Sequence, residues 1–188
     1  MKNQTLRIIS GKWKSRKIAF PASTESLRPT SDRIKENLFN WLQNEIRQSA
    51  CLDLFSGSGS LGIESLSRGA SQCTFIEKDN NAYNRIKKTL TLLDVKNANI
   101  YKLDAFQHIK KSSQKYDFIF LDPPFGKNIL IKILTSIKES NVIKPETKIY
   151  IEAEKDFNFE SLAASWLILK HKVTGDVQYG LIAPKEVI

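Results

Sequence analysis

The residues Asp122, Pro123, Pro124 and Phe125 directly follow an apolar run that spans residues 116–121. Aromatic and β-branched residues in such a run predict a buried parallel strand, and the two prolines end it because neither can donate a ladder hydrogen bond. The sequence therefore places a carboxylate, two carbonyl groups and an aromatic ring at the C-terminal end of a buried strand. Open α/β sheets bind their ligands at that end.

These four residues suit chemistry on the exocyclic amino group of a nucleobase. That nitrogen is a poor nucleophile because its lone pair is delocalised into the ring. Two acceptors that take its two N–H hydrogens favour a pyramidal nitrogen, and the ionised Asp122 carboxylate and the Pro123 carbonyl are such acceptors. Phe125 offers a face on which a flipped-out base can stack. A strand-ending turn with Phe125 in the core is the alternative, and other parts of the chain decide between the two.

The length and composition predict one domain, with at most a small appendage, in a chain of 188 residues. The 41% hydrophobic and 26% charged residues are typical of a globular protein. Neither an apolar run of about 18 residues nor an apolar signal-peptide core is present, so we expect a cytoplasmic protein with no membrane partner. Cys51 and Cys73 begin predicted strands without metal-ligand spacing, which favours reduced core cysteines and no metal site.

Positive charge is concentrated at the start of the chain. The formal net charge is +9, and residues 1–20 contain six basic side chains and no acidic one. A basic arm on a nearly neutral body favours a polyanionic partner. A solvated charged hairpin is the alternative, and charge alone leaves both open.

This basic segment is predicted to be a β-hairpin. Residues 6–10 and 16–20 flank Gly11 and have the pattern of two short strands. Trp13 lies among the charges at the turn, where it either stacks on a base or packs against the body. Residues 21–30 are predicted to be a loop.

The rest of the chain predicts alternating helices and strands. Apolar residues at helical spacing predict a first helix from about Ser31 to Arg47. The predicted strands after it are 51–55, 73–77, 98–102, 116–121, 147–153, 165–173 and 177–183. Further helices are predicted from about residue 60 to Arg68, over 80–93, shortly after Asp104, and over 128–140. Five βα units and a closing hairpin predict an α/β fold with a mostly parallel sheet covered by helices on both faces.

A glycine-rich loop connects the first predicted strand of the sheet to its helix. Gly57, Gly59 and Gly62 match the pattern G-x-G-x-x-G, and Glu77 follows 20 residues after Gly57, at the end of the next strand. That spacing fits a carboxylate that accepts hydrogen bonds from a ribose, and alone it would indicate a dinucleotide site.

Two further acids favour S-adenosylmethionine over a dinucleotide. Asp53 lies inside the strand before the loop, where a carboxylate would repel a pyrophosphate but suit a ligand with an ammonium and a sulfonium. Asp104 ends the third strand, where it could accept from an adenine amino group. The alternatives are a buried acid that caps nearby amides for Asp53 and a helix N-cap for Asp104. Together with Glu77 and Asp122, however, these acids border successive strands at one rim, which core packing does not require.

The chain resembles Rossmann-fold methyltransferases that act on exocyclic amino groups. The resemblance narrows to the bacterial 16S ribosomal RNA guanine-N2 methyltransferases through residues 7–13, 27–33, 38–42 and 66–70. It runs over nearly the whole chain. It implies a class I methyltransferase fold with a seven-stranded, mostly parallel sheet and a small N-terminal hairpin. It also implies transfer of a methyl group from S-adenosylmethionine to N2 of a specific guanine during small-subunit assembly.

The resemblance also implies a role for each part of the chain. Residues 1–30 would form a basic hairpin and loop, and residues 31–188 the methyltransferase domain of a monomer that binds 16S rRNA or the assembling small subunit. Asp122, Pro123 and Phe125 would be catalytic. The implied cofactor-binding residues are Asp53, Phe55, Ser56, Gly57, Ser58, Gly59, Glu77, Lys78, Asp104 and Ala105. The implied RNA-binding residues are Arg7, Lys12, Trp13, Lys14, Arg16, Lys17, Arg28 and Arg33.

One position departs from the family pattern, and three other functions stay open. A tyrosine like Tyr179 is followed in the family by a basic residue, here Gly180, so an RNA contact would be missing if that residue touches RNA. The first alternative function is a DNA adenine-N6 or protein glutamine-N5 methyltransferase, although no span remains for a DNA target-recognition region. The others are an inactive RNA-binding assembly factor and a nicotinamide-dependent oxidoreductase.

Overall fold

The computed structural model describes residues 4–20, 30–126 and 128–185. Arg28, predicted to bind RNA, lies outside these ranges. The strands are β1 Gln4–Arg7, β2 Lys17–Phe20, β3 Ala50–Asp53, β4 Gln72–Ile76, β5 Ala98–Tyr101, β6 Phe118–Leu121, β7 Lys148–Glu154, β8 Trp166–Thr174 and β9 Val177–Pro184. The α-helices are α1 Asp32–Trp41, α2 Ser60–Ser67, α3 Asn80–Leu92, α4 Ala105–Lys111 and α5 Ile129–Lys138, and a 3₁₀-helix spans Phe159–Ala164.

Seven strands form one sheet in the order β5-β4-β3-β6-β7-β9-β8. The pairs β4–β5, β3–β4, β3–β6 and β6–β7 are parallel, whereas β9 runs antiparallel to both β7 and β8. The strand order reverses between β3 and β6, so the carboxyl ends of these two strands border the crevice where such sheets bind ligands. A separate antiparallel pair, β1–β2, forms the N-terminal hairpin. The predicted α/β fold is confirmed.

Helices cover both faces of the sheet. One face packs against the hairpin, α1, α2 and α3, and the other against α4, α5 and the 3₁₀-helix. Strand β6 shows the alternation that this requires, because Phe118 and Phe120 contribute to the first core and Ile119 and Leu121 to the second. Within the described ranges, none of the helices has the length and apolar character needed to cross a membrane.

Helix α1 is shorter than predicted. It begins after Ser31, whose side chain accepts a hydrogen bond from the N–H of Ile34, and it ends at Trp41 rather than Arg47. Leu42 and Ile46 are nevertheless buried, because a turn follows in which the N–H of Ile46 donates to the carbonyl of Leu42 at 2.9 Å. The turn continues the apolar pattern of the helix, which is why the helix predicted from this pattern is too long.

The hairpin is fixed to the body by polar contacts as well as apolar ones. The Glu64 carboxylate of α2 accepts hydrogen bonds from the N–H groups of Ile9 (2.8 Å) and Ser10 (3.0 Å). The buried ammonium of Lys35 on α1 donates to the carbonyl of Arg7 at 2.6 Å, and burial lowers the pKa of Lys35. The division of the chain near residue 30 stays a prediction, and the hairpin packs against α1 and α2.

Candidate active site

A cavity of about 590 Å³ lies at the carboxyl ends of β3, β4, β5, β6 and β7. This volume is within the range of small-molecule sites, about 300–1,000 Å³. One half is bordered by the glycine loop and by the residues that follow β4 and β5, and we call it the cofactor half after the role predicted for these residues. The other half is bordered by Thr30, residues 122–125, Glu152 and the β8–β9 turn at 174–177, and we call it the base half after the role predicted for Asp122, Pro123 and Phe125.

The glycine loop forms one wall of the cofactor half. Gly57 and Gly59 have φ values of +51° and +76°, which side chains adopt only with strain. Phe55 and Gly57 line the cavity. A Cβ atom on Gly62 would lie 2.3 Å from the ring of Phe75, so this third glycine permits close packing of α2 on β4.

Glu77 is held in a fixed orientation by two backbone amides. Its carboxylate accepts from the N–H groups of Gly57 and Asp79, both at 2.7 Å, and the residue lines the cavity together with Lys78. A carboxylate has about four acceptor positions. Glu77 therefore retains acceptor capacity for hydroxyl groups of a ligand.

Asp104 and Ala105 line the same half of the cavity. One carboxylate oxygen of Asp104 accepts from the N–H groups of Phe106 (2.9 Å) and Gln107 (3.4 Å) and so caps α4. The capping alternative is therefore confirmed, and the position at the cavity wall is compatible with a second role for the other oxygen.

Four predicted cofactor residues do not line the cavity: Asp53, Ser56, Ser58 and Gly59. Asp53 is buried behind the loop and accepts from the N–H of Gly62 at 2.9 Å, so it caps α2 as the alternative interpretation held. Burial raises the pKa of Asp53 to about 7. The hydroxyl of Ser56 donates to the carbonyl of Asp53 at 2.8 Å and stabilises the loop from within.

Asp122, Pro123 and Phe125 line the base half together. The Thr30 hydroxyl donates to the half-buried carboxylate of Asp122 at 3.4 Å, and burial raises the pKa of this carboxyl group. Pro123 is buried, whereas Phe125 is 49% exposed and presents its ring to solvent. The alternative that places Phe125 in the core is therefore wrong, and the ring is accessible to a planar ligand.

Glu152 also lines the base half, and sequence reasoning missed it. It is only 4% exposed, and its carboxyl group accepts from the Tyr150 hydroxyl at 2.9 Å. Burial and the neighbouring charge of Asp122 raise the pKa of Glu152. An acid near the carboxyl end of an apolar strand, in the run 149–153, was the available signal.

Apart from Arg28, the predicted RNA-binding residues lie on the hairpin and on the first turn of α1. Arg7, Lys12, Lys14, Arg16, Lys17 and Arg33 are exposed. Arg7 is 3.9 Å from the Asp32 carboxylate, an exposed pair. Trp13 does not belong to this surface: it is 6% exposed and packs in the core with α1 and α2, so no ring face is available to a base.

Position 180 points into the protein. A Cβ atom on Gly180 would lie 2.4 Å from the ring of Phe159 and 2.5 Å from the carbonyl oxygen of Lys170. The ring of Phe159 stacks on His171, the register partner of Gly180, at 4.0 Å between centroids. A basic side chain at position 180 would require this stack to move, so the glycine matches its surroundings.

Comparison with known proteins identifies the family. The chain matches the family described as Conserved hypothetical protein 95 over residues 6–183. It is 43% identical over 180 residues to ribosomal RNA small subunit methyltransferase D of Haemophilus influenzae, covering 94% of this chain and 92% of that protein. The Escherichia coli (strain K12) protein of the same name is 37% identical over 176 residues, covering 94% and 88%. A solved structure described as "Putative methyltransferase yhhF from Escherichia coli" has a TM-score of 0.88 at 34% identity, covering 97% and 99%.

The match extends through both halves of the cavity, since it includes the glycine loop, the acids after β4 and β5, and residues 122–125. Relatives of this similarity align with nearly the whole chain. The chain therefore belongs to the Conserved hypothetical protein 95 family and is a methyltransferase.

Proposed function

We propose that this protein transfers a methyl group from S-adenosylmethionine to the exocyclic N2 amino group of one guanine in 16S ribosomal RNA, as the small subunit assembles. One observation carries the proposal: a single cavity joins Glu77 and Asp104 at one end to Asp122, Pro123 and Phe125 at the other. The names of the relatives, which are small-subunit rRNA methyltransferases, support rRNA as the substrate.

The cofactor half fits an adenosine-bearing ligand. Adenosine carries two ribose hydroxyls and one amino group as donors, and Glu77 and Asp104 each have acceptor capacity beyond their backbone partners. Apolar Leu54, Ile76 and Leu103 border the same space and suit the faces of an adenine ring. When bound, S-adenosylmethionine supplies an electrophilic methyl group on a sulfonium.

The base half would orient the amino group of the target. Asp122 and the Pro123 carbonyl accept its two hydrogens, and the exposed ring of Phe125 stacks on the unpaired base. Most of the acceleration comes from holding nitrogen and methyl group in line, since alignment alone contributes about 7–11 kcal/mol in well-oriented reactions. The nitrogen loses its proton to solvent after the attack, so Asp122 acts first as a hydrogen-bond acceptor.

The hairpin would hold the RNA. The exposed cations Lys12, Lys14, Arg16 and Lys17 neutralise phosphates and position the substrate without reading its sequence. In this proposal residues 1–30 supply the RNA-binding appendage and residues 31–188 the catalytic domain of a cytoplasmic monomer.

The test is transfer of radiolabelled methyl groups from S-adenosylmethionine, followed by nucleoside mass spectrometry. The substrates are naked 16S RNA and small subunits from cells that lack the enzyme. We expect N2-methylguanosine in at least one of them, and the better substrate shows at which stage the enzyme acts. Methylated adenine in DNA or methylated glutamine, with neither RNA sample labelled, would overturn the proposal.

A further inference from the structure

The carboxyl group of Glu152 is buried at a position where an apolar side chain would avoid the free-energy cost of desolvation. It lies on β7 among Tyr150, Ile151 and Ala153, which are all buried. Burying a carboxyl group is unfavourable unless hydrogen bonds replace its hydration. The Tyr150 hydroxyl supplies one such bond at 2.9 Å. Because Glu152 also lines the base half, a ligand there can supply another.

Glu152 and Asp122 are neighbours across two parallel strands. Leu121 of β6 pairs with Ile151 of β7, so the next residues along each strand are Asp122 and Glu152. Adjacent strands are about 4.8 Å apart. The hydroxyl of Thr30 donates to Asp122 at 3.4 Å. Burial raises the pKa of both carboxyl groups, and the charge of Asp122 raises that of Glu152 further. The base half therefore presents two carboxyl groups side by side.

Two adjacent carboxyl groups match one edge of guanine. On that edge the N2 amino group and the N1–H are neighbouring donors, whereas adenine, cytosine and 2-aminopurine present an acceptor lone pair beside their amino group. A hydrogen bond from N1–H favours the ionised form of Glu152 against the burial that raises its pKa. This carboxylate repels a lone pair at the same place. An enzyme that works on an extruded base reads this edge by hydrogen bonds.

We infer that Glu152 is a specificity-determining residue that accepts the N1–H of the target guanine, while Asp122 accepts from its N2 amino group. This inference rests on the proposed function, because it concerns the base whose amino group is methylated. Sites built to bind a substrate N–H reject analogues that lack it by factors of about 10⁴–10⁵, since a buried polar group then stays unpaired.

The experiment compares guanine with 2-aminopurine at the methylated position. 2-Aminopurine keeps the reacting amino group but carries a lone pair on N1. RNA with either base at the position that the wild-type enzyme methylates is prepared by ligation, and kcat/KM is measured for each. The variants are Glu152→Gln and, as a matched control two residues further on the same face of β7, Glu154→Gln.

We expect the wild type and Glu154→Gln to prefer guanine by at least about 100-fold. The amide of Glu152→Gln can rotate to donate to N1 of 2-aminopurine, so this variant should lower the preference at least about tenfold, mainly by a faster reaction with 2-aminopurine. If Glu152→Gln loses kcat/KM equally on both bases, Glu152 only supports the fold. A ratio of kcat/KM for guanine to that for 2-aminopurine near one in the wild type would also overturn the inference.

Two further results separate the inference from its premise. If Glu152→Gln does not fold, Glu152→Asp decides, because a carboxylate withdrawn by one methylene should lose activity on guanine and leave the slow reaction with 2-aminopurine unchanged. Equal losses on both bases would overturn the inference. Absence of N2-methylguanosine with the wild type would instead overturn the proposed function.

Discussion

The backbone N–H of Lys12 donates a hydrogen bond of 2.7 Å to the carbonyl oxygen of Ser67. Ser67 is the last residue of α2, and α2 begins directly after the glycine loop. The turn of the basic hairpin and the wall of the cofactor half are therefore attached to the two ends of one helix of eight residues, about 12 Å long. In the proposed function, RNA on the hairpin lies at a fixed distance from the cofactor.

The first prediction concerns Gly11, which allows this contact. A Cβ atom there would lie 1.8 Å from the Ser67 oxygen, and φ is +82°. Gly11→Ala should lower the free energy of unfolding by at least about 3 kcal/mol, because the turn must move and the residue is strained. Gly175→Ala is the matched control, since φ is also positive, +61°. Among the described residues other than its chain neighbours, none has an atom within 4 Å of the added Cβ, so this variant should cost about 1 kcal/mol. Equal losses in urea denaturation would contradict the prediction.

The second prediction concerns Trp13, which is buried rather than available to RNA. Trp13→Ala should reduce the free energy of unfolding by about 3–5 kcal/mol, because it leaves a cavity between the hairpin and the body. The control is Leu92→Ala, because Leu92 is 67% exposed and its loss should change stability by less than about 0.5 kcal/mol. A folded Trp13→Ala protein of normal stability and weakened RNA binding would restore the stacking interpretation.

The third prediction concerns the exposed cations of the hairpin. Lys14→Gln with Arg16→Gln should weaken RNA binding and flatten its salt dependence, lowering the slope of log K against log salt by about 1.5 if both contact phosphates. Lys87→Gln with Lys88→Gln removes the same charge from α3 and should leave the slope unchanged. An equal effect of both pairs would mean that only net charge matters.

The fourth prediction compares the carboxylates that flank β6 at its two ends. Asp122→Asn should lower kcat at least about 100-fold, while affinity for S-adenosylmethionine stays within several-fold, because the carboxylate lies in the base half. Asp117→Asn is the matched control at the other end, where the carboxylate accepts from the N–H of Ala50 and pairs with Lys144. Its loss should affect stability by about 0–1 kcal/mol and leave kcat unchanged. Lost cofactor binding in Asp122→Asn would make Asp122 a cofactor ligand.

The fifth prediction is a pH dependence of stability that arises from Asp53. Burial raises its pKa in the folded protein from 3.8 to about 7. Between these values the folded state binds more protons than the unfolded state, so the free energy of unfolding falls as pH rises, by up to about 1.4 kcal/mol per unit, and levels off above pH 7. Asp53→Asn should remove this part of the slope in urea denaturation from pH 4 to 8. A variant with the wild-type slope would mean that Asp53 stays ionised.

Much of the fold followed from local patterns. The buried run before Asp122, the glycine loop and the acids after β4 and β5 were predicted because strand ends and glycine spacing are encoded within a few residues. The end of α1 at Trp41 was not, since residues 42–46 bury side chains with helical spacing while forming a turn.

The site residues that were predicted incorrectly or not predicted have a different cause: the role of each depends on a contact between distant parts of the chain. Trp13 is buried only because the hairpin packs on α2, where the N–H groups of Ile9 and Ser10 donate to the Glu64 carboxylate more than fifty residues away in sequence. Glu152 belongs to the site only because β7 lies beside β6. Asp53 was assigned to the cofactor because its position in the strand was known but the direction of its partner, the N–H of Gly62, was not.

The place of β9 between β7 and β8 has a consequence for biosynthesis. A ribosome releases the chain from its N-terminus, so β7 emerges well before the strand that covers its outer edge. During that interval the edge exposes unpaired N–H and C=O groups, which is when a nascent sheet is most prone to aggregate. The segment that finally covers it also brings residues 174–177 to the wall of the base half. The edge of β7 is therefore covered and the base half completed by the same segment, β8–β9. A chain that ends before this segment would have an exposed edge and an incomplete site.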